Sequence, residues 1–173
     1  HINVSINTNT PSTYEDVSLR VRCRGFTHYY SFLKLKDNQV IKQLLKSEFP
    51  EGILEITIFN SSLQPICERL FFNDFNNNPL SISVLTDQDL YLQRDKTNLT
   101  IEVTDKSNTP INANLSVLVI NKELLGSQQE KRQNIRSYLL LESELKGTIE
   151  SPGYYFNTQI KSDDLDALIL TQG

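Results

Sequence analysis

Apolar and polar residues alternate along most of the first half of this chain. Ile2, Val4 and Ile6 take every second position, and a turn is expected at Asn9–Ser12. Val17, Leu19, Val21 and Cys23 alternate again, and Phe32, Leu33 and Leu35 lie in a third run. A turn at Phe49–Gly52 leads into Ile53–Phe59, and a turn at Ser61–Pro65 leads into Ile66–Phe72. A period of two sends successive side chains to opposite faces, so each run predicts a short strand with one buried face. Strands at this spacing, punctuated by Gly, Pro, Asn and Ser, predict an antiparallel β-sandwich or barrel.

Asn76, Asn77 and Asn78 before Pro79 mark the best boundary, because asparagine tolerates turn conformations and proline breaks helix and ladder alike. Beyond it the alternation restarts. Ile82 and Val84 come first, then Tyr91, then Leu99, Ile101 and Val103, and the Lys106–Pro110 turn leads into Ala113, Leu115, Val117 and Val119. The first half runs through a similar series: Ile2 and Val4, then Tyr14, then Val17, Leu19 and Val21. We read this as a degenerate internal repeat. The expected fold is mainly β: two tandem immunoglobulin-like antiparallel sandwiches, residues 1–75 and residues 79–173.

The second half should also carry short helical segments near its C-terminus. Ser127–Asn134 is polar and is expected to be a loop. Asn134 can cap a helical run with Ile135, Tyr138, Leu139 and Leu145 facing inward and Gly147 as the stop. A strand over Ser137–Leu141 is the competing reading. A last helix is expected with Ser162 as its N-cap, Asp163 and Asp164 in its first turn, and Leu165, Leu168 and Ile169 on its inner face. That run reaches Gly173 without a cap, the pattern expected of a piece cut from a longer protein.

With 173 residues, one medium domain or two small ones can form. A hydrophobic fraction of 38% is low but sufficient for two small cores. A net charge of −4 argues against a nucleic-acid partner, which requires phosphates to be neutralised. Arg20, Arg22 and Arg24 alternate and should form one solvated strand face. No stretch approaches the roughly 20 apolar residues of a spanning helix, so no membrane insertion by this segment is expected. The glycosylation-type triplets at Asn3, Asn60, Asn98 and Asn114 arise easily by chance in so asparagine-rich a chain.

Candidate chemistry is sparse. His28, beside Tyr29 and Tyr30, is the only internal histidine, and no nucleophile elbow, metalloprotease helix motif, phosphate loop or dinucleotide fingerprint accompanies it. Asp163, Asp164 and Asp166 suit a helix start, and Asp87 and Asp89 suit a turn. Glu51, Glu55 and Glu68 could approach one another in space, but nothing in their spacing favours paired-carboxylate chemistry. Tyr154, Tyr155 and Phe156 follow Pro152-Gly153 and either line a buried strand or form an exposed ligand platform for a sugar or peptide. Cys23 and Cys67 fall in two strands of the same half, either bridged or as two buried thiols. No catalytic set, cofactor site or metal site is expected.

The stretch Phe49-Pro50-Glu51-Gly52-Ile53, then Ile56–Phe59, then Pro65-Ile66-Cys67-Glu68-Arg69-Leu70-Phe71-Phe72 resembles the macroglobulin-type β-sandwich domains of large envelope proteins of Gram-negative bacteria. Tyr91 with Leu99–Val103 is similar to the entry of the next such domain. Asn134–Leu141, Leu145-Lys146-Gly147, Ile149-Glu150, Pro152, Tyr154–Phe156 and Asp166–Gly173 resemble the segment that closes the region ahead of a TonB-dependent receptor plug. The resemblance implies tandem sandwiches and a periplasmic or outer-membrane address. It further implies a scaffold or protein-interaction role without catalytic residues, partnered by another protein or by neighbouring domains of the same chain. The chain departs from the family in having no Trp and in lacking the Gly-Cys-Gly-Glu-Gln thioester of protease-trapping macroglobulins. The alternatives are a glycan- or peptide-binding sandwich, or a protease-restraining module without a thioester.

Overall fold

Alternation becomes strand almost wherever the first half shows it. The structure, a computed structural model, describes residues 1–9, 16–75, 80–121, 123, 131–156 and 162–172. The expected turn at Asn9–Ser12 lies largely outside these residues. So do the boundary at Asn76–Pro79 and the first part of the Ser127–Asn134 loop. The chain divides into two units, His1–Phe75 with Lys122–Gly173 and Asn76–Asn121.

In the first unit β1 (Ile2–Asn7) pairs antiparallel with β4 (Gln39–Leu44) to make a two-stranded sheet. β2 (Asp16–Cys23), β3 (Phe26–Lys34), β5 (Gly52–Phe59) and β6 (Pro65–Asn73) form a second antiparallel sheet in the order β3-β2-β5-β6. Both sheets contribute to one core: Ile2 and Leu44 from the first, with Val17, Leu19, Val21, Cys23, Leu54, Ile56 and Ile58 from the second. These are the even-spaced positions that the alternation marks. Leu19 and Leu54 are fully buried, and each such side chain stabilises by about 1.5–3 kcal/mol.

Two hairpins turn on residues with positive φ. Arg24 and Gly25 link β2 to β3, and Asp37 and Asn38 link the end of β3 to β4. Two consecutive left-handed residues match the twist of antiparallel strands, and Gly, Asn and Asp reach that region most easily. His28 sits at the register shift opposite Val21 and Arg22, an exposed residue on an edge strand. β4 escapes the alternation rule because Lys42 occupies an inward-phase position between Val40 and Leu44. Its stem stays half-buried while its ammonium rests 5.6 Å from the centre of the Tyr29 ring.

The C-terminal segment belongs to this first unit, which differs from the expected division into 1–75 and 79–173. β5 is a central strand and is largely buried on both faces: Leu54, Ile56 and Ile58 face the inner core, while Ile53, Glu55, Thr57 and Phe59 take the other face. Ile53, on its outer face, joins Leu141, Leu145, Ile149 and Ile169 in a second buried cluster flanked by Leu70 and Phe72 of β6. Helix α1 (Ile135–Ser137) runs directly into a π-helical stretch, Tyr138–Glu142, and helix α2 spans Ser162–Gln172. Asn134 is the N-cap as expected: its side chain accepts from the Ser137 amide while the Ser137 hydroxyl accepts from the Asn134 amide. Of the residues expected to face inward only Leu145 is buried. Ile135 is 75% exposed, and Tyr138 and Leu139 are also exposed, whereas Ser137 and Leu141 are buried in their place. Gly147 ends the run at φ +88, and Leu165, Leu168 and Ile169 of α2 pack inward as predicted.

In the second unit β7 (Ser81–Thr86) and β8 (Leu99–Thr104) pair antiparallel. Asp105 accepts from the amides of Ser107 and Thr109 to form the expected Lys106–Pro110 turn. Ile111 returns one hydrogen bond to Val103, but the strand expected over Ala113–Val119 does not form. Alternation alone does not make a strand where no neighbouring edge takes up its backbone groups. Among the described residues no helix is long and apolar enough to cross a membrane.

Candidate functional site

The ionisable residues singled out from sequence are engaged in packing and tethering. Arg20 and Arg22 project from β2 toward Glu55 on β5, at 3.4 and 3.2 Å, and Arg20 also lies 4.7 Å from the centre of the Phe59 ring. Arg24 instead donates to the Glu51 carbonyl at 2.8 Å. Arg20 and Arg22 thus share a half-buried ion-pair network and not a freely solvated face, while Arg24 is exposed on the turn after β2. Thr57 stands between Glu55 and Glu68, with its hydroxyl 3.4 and 3.3 Å from their carboxylates. Glu51 lies apart and pairs with Arg136. The Glu55 carboxylate is engaged by the guanidinium groups of Arg20 and Arg22 and by the Thr57 hydroxyl.

Tyr154, Tyr155 and Phe156 lie on a 3-10 turn, Pro152–Phe156, so the expected strand entry after Pro152-Gly153 is replaced by a helical turn. The three rings do not make a flat platform. Tyr154 and Tyr155 meet edge to face at 86°, and Phe156 meets Phe72 at 76°. Tyr155 and Phe156 pack on the second cluster, and the Arg136 guanidinium lies 5.3 Å from the Phe156 ring centre. Tyr154 donates to Asp164 at 2.9 Å, and that carboxylate pushes the phenol above its usual range. Asp166 holds Arg69 of β6 through both carboxylate oxygens at 2.9 Å. Two of the three aspartates of α2 therefore tether the helix to its surroundings.

Cys23 and Cys67 are free thiols. Cys67 pairs with Ile58, which pairs with Leu19, so Cys67 sits two strands over and four positions along from Cys23. Strand spacing near 4.8 Å and a rise near 3.3 Å per residue put them well beyond the roughly 7 Å Cα limit of a bridge. Cys23 is buried, which pushes its thiol upward, whereas Cys67 is exposed. Among the described residues no group of three or more His, Cys, Asp and Glu side chains could hold a metal.

The feature that pattern reading missed in this unit is Asn73. Fully buried at the end of β6, it donates its amide to the carbonyls of Lys46, Phe49 and Pro50 at 3.1, 3.2 and 2.9 Å. One asparagine thereby fixes the whole connection between β4 and β5, including the 3-10 turn Lys46–Glu48.

The surface left for function is apolar and lies in the second unit. Ile82 faces Val103, Val84 faces Ile101 and Thr86 faces Leu99, placing Ile82, Val84, Leu99, Ile101 and Val103 on one face, with Leu85 opposite Thr100 on the other. Val103 is buried, but Ile82 and Val84 are 58% and 56% exposed. Val117, Leu118 and Val119 are 59%, 79% and 81% exposed, with Leu115 and Ile120 beside them in sequence. So many exposed branched aliphatics in so short a segment exceed the scattered apolar residues of an ordinary surface. No protein family, curated protein or solved structure matches the chain.

Proposed function

We propose that this chain is a non-catalytic β-sandwich module of a larger bacterial cell-envelope protein, acting as a scaffold or protein-interaction region. The exposed apolar surface of residues 80–121 carries this reading. A lone two-stranded hairpin is marginal in water, and a sheet with one apolar face needs a second layer over it. A protein contact supplies such a layer. In the finer form of the proposal the sheets are immunoglobulin-like, of the macroglobulin type, and the setting is TonB-dependent outer-membrane uptake. The motifs at Phe49–Ile53, Pro65–Phe72 and Asp166–Gly173 support that form.

The test uses the protein in detergent extracts of the envelope, compared with Val117→Lys/Val119→Lys. Both side chains are exposed, so the substitutions leave the described core intact. We expect a partner polypeptide to co-purify with the native chain and to be lost from the variant. Equal recovery from both, or robust turnover of glycoside or peptide substrates, would overturn the proposal.

A further inference from the structure

A cavity of about 620 Å³ opens along β1 in the first unit. Val17, Ile56, Ile58 and Phe71 of the four-stranded sheet line one side, and the whole of β1 with its flanks, His1–Thr8, lines the other. No residue of β4 contributes, although β4 is the strand paired with β1. The cavity therefore lies on the edge of β1 that has no strand partner among the described residues. It has room for about twenty waters at roughly 30 Å³ each, held against apolar walls that gain by being covered.

Edge strands normally carry charges or proline that discourage further pairing. In the first unit β3 carries His28 and Lys34, β4 carries Lys42, and β6 carries Pro65, Glu68 and Arg69. β1 reads Ile-Asn-Val-Ser-Ile-Asn and has none of these. Its pattern is also its own complement. Two antiparallel copies centred on Val4 place Ile2 opposite the partner's Ile6 and Val4 opposite the partner's Val4, all on the cavity side. On the other face Asn3 stands opposite the partner's Ser5, so the strand pair itself carries no charge and no like charges meet. Arg69, which also lines the cavity, is paired with Asp166.

We propose that β1 pairs with β1 of a second copy about a two-fold axis, giving a continuous β4-β1-β1-β4 sheet that closes both cavities. The contact is self-complementary and closed, as a two-fold interface must be. It rests on the first unit alone, so its failure leaves the proposed role of residues 80–121 standing.

Sedimentation velocity on the full chain across about 1 μM to 1 mM tests it, because an interface of this small size belongs to the weak class. Native protein should show a concentration-dependent dimer. Asn3→Lys/Ser5→Lys sets two lysine pairs opposite each other on the solvent face and should raise the dimer Kd roughly tenfold. Asn3→Lys/Ser5→Glu sets opposite charges in the same two places and should restore the dimer. Labelling of Cys67, which lines the cavity, should slow as the native dimer forms. A native monomer throughout the range would overturn the proposal. So would a dimer that treats the two double variants alike, which would locate the contact elsewhere.

Discussion

Leu141→Ala separates the two buried clusters of the first unit. Leu141 is fully buried and packs with Ile53, Leu145, Ile149 and Ile169 between the C-terminal segment and the outer face of β5 and β6. Truncating a buried leucine costs about 2–5 kcal/mol, from lost transfer energy and the cavity left behind. Among the described residues the cluster holds only five buried residues, and no backbone ladder joins α1 or α2 to the sheet. A loss of about 3 kcal/mol should therefore open the segment locally, leaving the inner core folded. Hydrogen exchange by mass spectrometry reads this directly. Amides of residues 137–145 and 165–171 should exchange roughly 100-fold faster, at 1.4 kcal/mol per tenfold, while amides of β2 keep their protection. Leu19→Ala, in the inner core, should instead speed exchange in both regions. Equal losses in β2 and in the C-terminal segment of Leu141→Ala would refute two separable clusters, and no change in either would refute the packing.

Three other substitutions or titrations probe separate points. Asn73→Ala leaves the carbonyls of Lys46, Phe49 and Pro50 without their donor and should cost about 1–3 kcal/mol in urea unfolding, with Asn73→Asp worse because it presents an anion to those oxygens. Thiol labelling of the native protein should modify Cys67 promptly and Cys23 only at higher pH or on unfolding, since burial raises the Cys23 thiol and lowers its thiolate fraction. The Asp87 carboxylate accepts from the Tyr91 hydroxyl and from the side chain and amide of Asn98, and these bonds hold its pKa below the usual carboxylate range. Its stabilising contribution is therefore present above the unfolded value and lost as pH falls through the lowered folded one. NMR titration should show the Asp87 and Asn98 signals moving only at strongly acidic pH.

Strands with one apolar face were legible because alternation reports burial directly. β1, β2, β5, β7 and β8 all fall where Ile, Val, Leu and Phe take every second place, and β6 follows the Ser61–Pro65 turn signal although Glu68 and Arg69 interrupt its alternation. β4 was hidden by Lys42, whose position follows the strand phase while its charge does not. The run Ile135–Leu141 is apolar at nearly every position apart from Arg136 and Ser137, so it could not specify its own inward face. Ile53 and Leu54 are adjacent and both buried, one in each cluster, and this is the only local sign that a second layer covers β5. The contacts made by Asn73, and by Arg69 with Asp166 some hundred residues away, are set by tertiary placement and leave no periodic trace. Ala113–Val119 shows the converse, a strand pattern whose pairing edge is not supplied.

That unsupplied layer is the centre of the account, and site-specific photo-crosslinking in intact cells tests it most directly. A photoreactive residue would replace Val117 or Ile82 in the second unit, with Asn60, on the exposed β5–β6 turn, as the control. Val117 and Ile82 should each yield adducts with one discrete partner polypeptide, and Asn60 none. Folded protein that yields no adduct from Val117 or Ile82, or the same adducts from all three positions, would contradict it.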